Sequence, residues 1–309
     1  MQVFSTIIPI FAVVILGCIA SRKGFMPEAF LGPANRLVYY LAIPALIFRS
    51  VAKASFHTQF NASVLLVTLS SAFLAYAGAW LTGRLVHWPP RRIGTFIQCS
   101  AHGNQGYIGL PVAFYFLGES GLIKASILAG FLMILQNVLS VLVLQAHSTG
   151  EATTRKNIQA VAKMLIRNPI IVSALTGVVV SFWEIPIPLT IQRFLEILSG
   201  LAPPMSLLLI GASLSLKVMR QNLFSVLGAV LIKIIALPLL GLALFLVFEV
   251  PPADFLPGLI LLAAPTATVA YVMSREMNGD EAFAVAAIST STIFSAVTYL
   301  IWLMVVGGA

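Results

Sequence analysis

Ser100-Ala101-His102-Gly103-Asn104-Gln105-Gly106-Tyr107-Ile108-Gly109-Leu110-Pro111 is the stretch that decides the fold. It lies in the middle of an otherwise apolar segment from Ile93 to Phe116. That segment is long enough to cross a bilayer, for which about 20 residues suffice. A simple hydrophobic span has no use for a histidine, an asparagine and a glutamine at its centre, nor for three glycines and a proline. Glycine and proline weaken a helix, and unwound backbone at membrane depth is tolerated only where protein or a water-filled cavity surrounds it. We read a broken helix in which Gly103 and Gly106 free the backbone while Asn104 and Gln105 face a polar cavity. Broken helices near the bilayer midplane are where secondary transporters bind substrate. A packing face is the competing reading, because Gly103, Gly106 and Gly109 recur every three residues and small residues let membrane helices approach. It accounts for the glycines but not for the polar side chains, which are costly in lipid unless satisfied.

Composition widens the same argument. Of 309 residues, 9% are charged and 59% hydrophobic, against roughly 25% and 45–50% in soluble proteins. Long apolar runs recur throughout, so the chain reads as an all-α polytopic membrane protein. The formal net charge of +8 is no nucleic-acid signal, since the cations sit in short segments between apolar runs, as positive-inside sorting places them. Cys18 and Cys99 both fall within apolar runs and suggest no disulfide. The first apolar run has no basic region before it and reads as a retained helix rather than a cleaved signal.

Ten transmembrane spans are expected, approximately Val3–Ser21, Pro33–Ala52, Ala62–Gly83, Ile93–Phe116, Leu122–Ala146, Pro169–Trp183, Ile191–Leu214, Leu223–Phe248, Phe255–Met273 and Glu281–Val306. Residues 1–146 form a first five-helix repeat, 147–168 a cytoplasmic linker, and 169–309 a second five-helix repeat. One set of loops holds Arg22, Lys23, Arg84, Arg91, Arg92, Arg155, Lys156, Lys163, Arg167, Lys217 and Arg220. This set is expected on the cytoplasmic side, which leaves both termini outside. The loop with Arg275, Glu276, Asp280 and Glu281 is not net basic, but acids count little in that rule. Trp80, Trp183 and Trp302 fall near span ends, as interfacial anchors do. Within the linker, Ile158, Val161 and Leu165 share a helical face, which reads either as a helix on the membrane surface or as a solvated linker.

The two halves repeat at a spacing of about 160 residues, Pro9 over Pro169, Gly17 over Gly177, Pro44 over Pro204 and Gln105 over Pro265. Chance matches of proline and glycine are the alternative. Five spans per half is an odd number, so the second copy runs opposite to the first, and inverted repeats mark transporters.

A second break is expected at Leu261-Leu262-Ala263-Ala264-Pro265-Thr266-Ala267-Thr268. Proline suits the first position of a helix, so Pro265 is read as opening a half-helix whose free N–H groups attract an anion. Thr266 and Thr268 add hydroxyl donors, and the half-helix after Gly106 approaches the same point. A proline kink filled by Thr266 is the plainer reading. Lys233 is the one full charge deep in a span. It pairs with a carboxylate ligand, alternates between charged and neutral forms, or snorkels to an interface. His102 beside the first break is either a proton-exchanging group or a core histidine bonded to backbone. Gln136 and Asn137 lie mid-span, lining the cavity or bonding across helices. No Asp or Glu falls mid-span, which argues against a carboxylate proton relay. There is no phosphate loop, zinc spacing or Gly-x-Ser-x-Gly, no cofactor is implied, and an enzyme is not expected.

With these residues in hand, the chain resembles the auxin efflux carrier family of membrane transporters, in its shorter bacterial type, within the bile, arsenite and riboflavin transporter superfamily. The resemblance is carried by Pro9-Ile10-Phe11-Ala12-Val13-Val14-Ile15-Leu16-Gly17, Arg36 to Pro44, Gly103 to Pro111, the Lys233 to Pro238 span and Ala264-Pro265-Thr266. It implies two inverted five-helix repeats, a scaffold from spans one, two, six and seven, and broken crossing helices four and nine with Asn104 and Pro265 at the substrate. It further implies alternating-access transport of an organic anion such as malate, malonate or an auxin-like acid, often linked to the proton gradient or membrane potential, and a homodimer in the inner membrane. The third span lacks the acidic residue that some plant members have, reading Ser70-Ser71-Ala72-Phe73. A sodium-coupled carrier of the bile-acid type and a receptor that binds the same ligand without moving it are the alternatives.

Overall fold

The computed structural model describes residues 2–53, 59–148 and 166–307. Apart from the two end residues of the 157–167 segment, the amphipathic stretch expected there lies outside the described residues. The helices are α1 (Gln2–Arg22), α2 (Glu28–Lys53), α3 (Ala62–Leu85), α4 (Pro90–Ala101), α5 (Gln105–Ala146), α6 (Pro169–Phe182), α7 (Leu189–Ser213), α8 (Leu216–Val247), α9 (Pro252–Ala263), α10 (Val269–Glu276) and α11 (Glu281–Gly307). Among the described residues there is no strand beyond one isolated bridge.

Seven of these helices, α1, α2, α3, α5, α7, α8 and α11, are long and apolar enough to cross a membrane. The apolar helices α6 and α9 are shorter. The count falls below the ten expected stretches because α6 is only 14 residues long and other stretches are not single rods. The stretch 93–116 divides at residues 102–104, and 255–273 divides at 264–268. Helix α5 joins the second half of the fourth stretch to the fifth across Gly118, whose φ of 70° and ψ of −163° interrupt the helix. Only a glycine adopts that conformation freely.

Three other interruptions share one cause. Wide, π-type turns occupy Val38–Ala42 in α2, Gln105–Gly109 in α5 and Ile232–Ala236 in α8. Each ends two residues before a proline, Pro44, Pro111 and Pro238. Proline has no N–H to give and crowds the carbonyl four residues back. A π turn is one way a helix absorbs that local misfit. In α8 the carbonyl four residues before Pro238 belongs to Ile234, and it accepts a hydrogen bond from Trp302 Nε1 at 3.0 Å. Trp302 is accordingly buried, not an interfacial anchor, whereas Trp183 is exposed.

The chain forms two compact units, each drawing on both sequence halves. The first comprises residues 1–62, 106–131 and 166–214 and so gathers α1, α2, α6, α7 and the first part of α5. Within it α1 packs on α7 and α2 on α6. Gly17 meets the main chain of Leu208, Gly211 meets the main chain of Val14, and Gly177 lies against Val51. The second unit comprises residues 63–105, 132–165 and 215–309, with α3, α4, the end of α5 and α8 to α11. Here α8 packs on α11 and α4, and α9 lies against α8 and α11. The two backbone hydrogen bonds between the breaks, Asn104 N to Pro265 O and Ala267 N to His102 O, lie within this second unit.

Candidate functional site

Helix α4 ends at Ala101 and α9 at Ala263, and each leaves carbonyls with no partner in its own helix. Side chains supply most of what is missing. Behind α4, Cys99 O accepts from Thr266 Oγ1 at 2.9 Å and Ala101 O from Gln136 Nε2 at 3.0 Å. Behind α9, Ile260 O accepts from Tyr299 Oη at 2.9 Å and Leu262 O from Lys233 Nζ at 2.7 Å. A cation at a helix C-terminus is also where the macrodipole favours one.

Between the half-helices the two breaks bond each other as a short antiparallel ladder. Gly103 and Thr266 form a β-bridge. Asn104 N donates to Pro265 O at 2.7 Å and Ala267 N to His102 O at 2.9 Å. Thr266 N donates to Ser291 Oγ at 3.0 Å. Unwound backbone deep in an apolar protein must be satisfied in this way. The ladder also corrects one expectation. Pro265 is buried in the extended connection and does not open a half-helix. Helix α10 begins at Val269, because residues 265–267 are committed to pairing with residues 102–104.

Gln136 is the strut across the first break. Its Oε1 accepts from Gly103 N at 3.2 Å and from Gln105 Nε2 at 2.9 Å, while its Nε2 holds Ala101 O. One turn on, Ser140 Oγ bonds His102 Nδ1 at 2.9 Å and Tyr76 Oη at 2.7 Å. His102 is therefore a buried, hydrogen-bonded group. Asn137 is buried one residue beyond Gln136, but it is Gln136 that bonds the break. Gln136 and Ser140 sit four apart, the spacing that shares a helix face. That was the available signal for the pair.

Asn104, Gln105 and Lys233 are all buried, Lys233 with no exposed surface. No ion pair involving Lys233 occurs among the described residues. A methyl placed on Gly103 would lie 2.7 Å from Gln105 Nε2 and 3.3 Å from Lys233 Nζ. Gly103 thus leaves room for both side chains on its one face. Gly106 lies in the π turn that follows, and Thr268 is half-buried at the start of α10, where its side chain makes no capping bond. The structure brings His102, Asn104, Gln105, Lys233, Pro265 and Thr266 to the paired breaks.

A polytopic helical protein with two interrupted helices bonded to each other at their breaks is built as a membrane carrier is. The family described as "Membrane transport protein" matches residues 2–303. The chain belongs to this family, whose members are membrane transporters of the auxin efflux carrier type. It is 25% identical over 308 residues to a protein of Rhizobium meliloti (strain 1021) named "Putative malonate transporter", covering 96% of this chain and 93% of the relative. It is 24% identical over 301 residues to an "Uncharacterized transporter" of Methanothermobacter thermautotrophicus, covering 97% of each. A further uncharacterized transporter, from Methanocaldococcus jannaschii, is 22% identical over 295 residues, with 94% of each covered.

Proposed function

We propose that this membrane transporter moves a small organic anion, a carboxylate such as malonate, malate or an auxin-like acid, by alternating access driven by the proton gradient or the membrane potential. The observation that carries this reading is the pair of interrupted helices tied together at Asn104 and Pro265, with buried polar side chains gathered there. Asn104 and Gln105 hydrogen-bond the substrate, assisted by Thr266 and Thr268, and the main chain at Gly106 and Pro265 shapes its seat. Lys233 sets the positive potential of the site, and His102 and Asn137 complete its polar wall. The name of the Rhizobium meliloti relative supports a dicarboxylate.

In this reading the chain is built from ten spans, residues 1–146 and 169–309 being five-helix repeats of opposite orientation joined by a linker at 147–168. Three features at the spacing of about 160 residues support it. The breaks at 102–104 and 264–268 nearly coincide in that register. Gly17 marks the contact of α1 with α7, as Gly177 marks that of α6 with α2. The π turn at Val38–Ala42 in α2 falls opposite the turn at Gly200 and Leu201 in α7. Grouping of α1, α2, α6 and α7 in one compact unit supports a scaffold role for those helices. The transporter works as a homodimer in the inner membrane with both termini outside.

The test is a flux screen of the purified protein in liposomes against mono- and dicarboxylates, with and without a proton gradient. A carboxylate should accumulate, and Asn104→Ala and Lys233→Met should each depress its flux while the protein still folds. Ligand bound without flux would make the chain a receptor, and normal flux in both variants would remove the site.

A further inference from the structure

The hydrogen bonds of the first break fix which way each amide points. Ala101 O can only accept, so the group of Gln136 that faces it at 3.0 Å is the NH₂. The Gln136 oxygen must then face Gly103 N and the Gln105 side chain, at 3.2 and 2.9 Å. A carbonyl oxygen takes only donors. Gln105 therefore presents its own NH₂ to Gln136 and turns its Oε1 the other way. No rotation of either amide improves this, because each alternative sets oxygen against oxygen or NH₂ against the Gly103 N–H. Gln105 is 1% exposed, and its Oε1 is buried with no hydrogen-bond partner among the described residues. Leaving a buried acceptor unpaired costs about 1–3 kcal/mol, and native proteins keep few such groups without a reason.

The other end of the same amide shows which charge stands close by. Gln105 Nε2 and Lys233 Nζ both border the one face of Gly103. Lys233 spends one of its three protons on Leu262 O and remains a donor for an anion. A plain carboxylate suits the ammonium but has nothing to offer an oxygen acceptor. We propose that Gln105 makes the site selective for an acid carrying an O–H beside its carboxylate, the O–H donating to Gln105 Oε1 and the carboxylate facing Lys233. The O–H belongs either to an α-hydroxyl or to the second, protonated carboxyl of a dicarboxylic acid. This rests on the reading of the paired breaks as the substrate site. It adds the chemistry by which that site chooses among acids. A site built around a hydrogen bond to a ligand hydroxyl rejects the analogue that lacks it far more strongly than an apolar pocket rejects a missing methylene.

Calorimetric titration of the purified full chain with matched pairs tests this: hydroxymalonate against malonate, malate against succinate, lactate against propionate. At a pH where all carboxyls are ionised, each hydroxy acid should bind about tenfold or more tighter than its partner. Gln105→Met should erase that difference between the members of each pair. Should malonate match hydroxymalonate only on acidification, the donor is the carboxyl O–H, and the selectivity stands. Equal or tighter binding of the deoxy acids at every pH overturns the role of Gln105 while leaving the site in place. If none of the six acids binds, the site reading falls with it. The comparison on the unaltered protein decides the matter even where Gln105→Met folds poorly.

Discussion

The main-chain N–H of Asn104 donates to the carbonyl oxygen of Pro265 at 2.7 Å. One backbone bond thus ties the first break to the second, and the Ala267 N–H to His102 O bond at 2.9 Å doubles it. The tie does not depend on the Asn104 side chain. Asn104→Ala should therefore keep the tie and melt above Asn104→Pro. Asn104→Pro removes the donor and leaves Pro265 O short of a partner inside the protein, at a cost of about 1–3 kcal/mol. Thermal unfolding of the two purified variants checks the ranking, which equal melting temperatures would contradict.

Gly103 and Gly78 make a matched comparison. A methyl at Gly103 meets Gln105 Nε2 and crowds the Lys233 chain, whereas at Gly78 in α3 nothing lies within 4 Å. The groups in the way at Gly103 are ends of flexible side chains, so Gly103→Ala should fold, but with the Gln105 bond to Gln136 displaced. Flux should drop for Gly103→Ala. Gly78→Ala should transport normally and gain about 0.5–1 kcal/mol from better helix propensity. Flux and melting measured together separate the two effects.

Gln136→Leu fills a similar volume but removes a strut with three hydrogen bonds. It leaves the Gly103 N–H and the Ala101 carbonyl buried and unpaired, each worth about 1–3 kcal/mol. Gln136→Glu keeps the acceptor for Gly103 but, when ionised, cannot donate to Ala101. Once acidification protonates the introduced carboxyl, the expected order of stability is the parent, then Gln136→Glu, then Gln136→Leu. A stability gap between the glutamate variant and the parent that narrows on acidification would show that the missing donor is what matters.

Much of this was legible in the residues and some was not, for physical reasons. Helix starts at Ala62, Pro169 and Glu281 and the end at Ala146 match the apolar pattern within the ends of the elements. Polar residues amid an apolar run announce a break, because lipid leaves them no other use. The start of α10 at Val269 rather than Pro265 was hidden, since it depends on pairing with residues 102–104 far along the chain. Gln136 and Asn137 are adjacent amides, and composition cannot say which one turns toward the break. The π turns had a visible cue in prolines 44, 111 and 238, but proline in a span equally signals a kink. Trp302 lies near a helix end, as an anchor would, yet its ring N–H serves the carbonyl that Pro238 leaves unfilled.

In the first unit, Gly17 and Gly211 let α1 and α7 touch backbone to backbone. A side chain at either position meets main-chain atoms that cannot step aside, unlike the flexible ends near Gly103. Gly17→Val and Gly211→Val should each force the helices apart and remove folded protein from the membrane. A methyl at Gly32 in α2 meets nothing within 4 Å, so Gly32→Ala serves as the control. Yield of monodisperse protein after detergent extraction reads the outcome, and normal yield of both valine variants would show the close approach to be dispensable.

Asp280 does two jobs at the start of α11. Its Oδ1 accepts from Phe283 N at 3.0 Å, the bond of an N-terminal helix cap, and its Oδ2 accepts from Arg92 Nε at 2.8 Å. The main-chain N–H of Asp280 also donates to Thr95 Oγ1 at 2.9 Å. Asp280→Asn can keep the cap and loses only the ion pair, which is partly exposed and worth about 0–1 kcal/mol. Asp280→Ala loses both, adding about 1 kcal/mol for the cap. The alanine variant should therefore melt below the asparagine variant. Salt supplies the second reading: it screens an exposed pair, so the deficit of Asp280→Asn should shrink as ionic strength rises, while the further deficit of Asp280→Ala should persist. A salt-insensitive deficit in Asp280→Asn would assign the loss to the cap geometry rather than to Arg92.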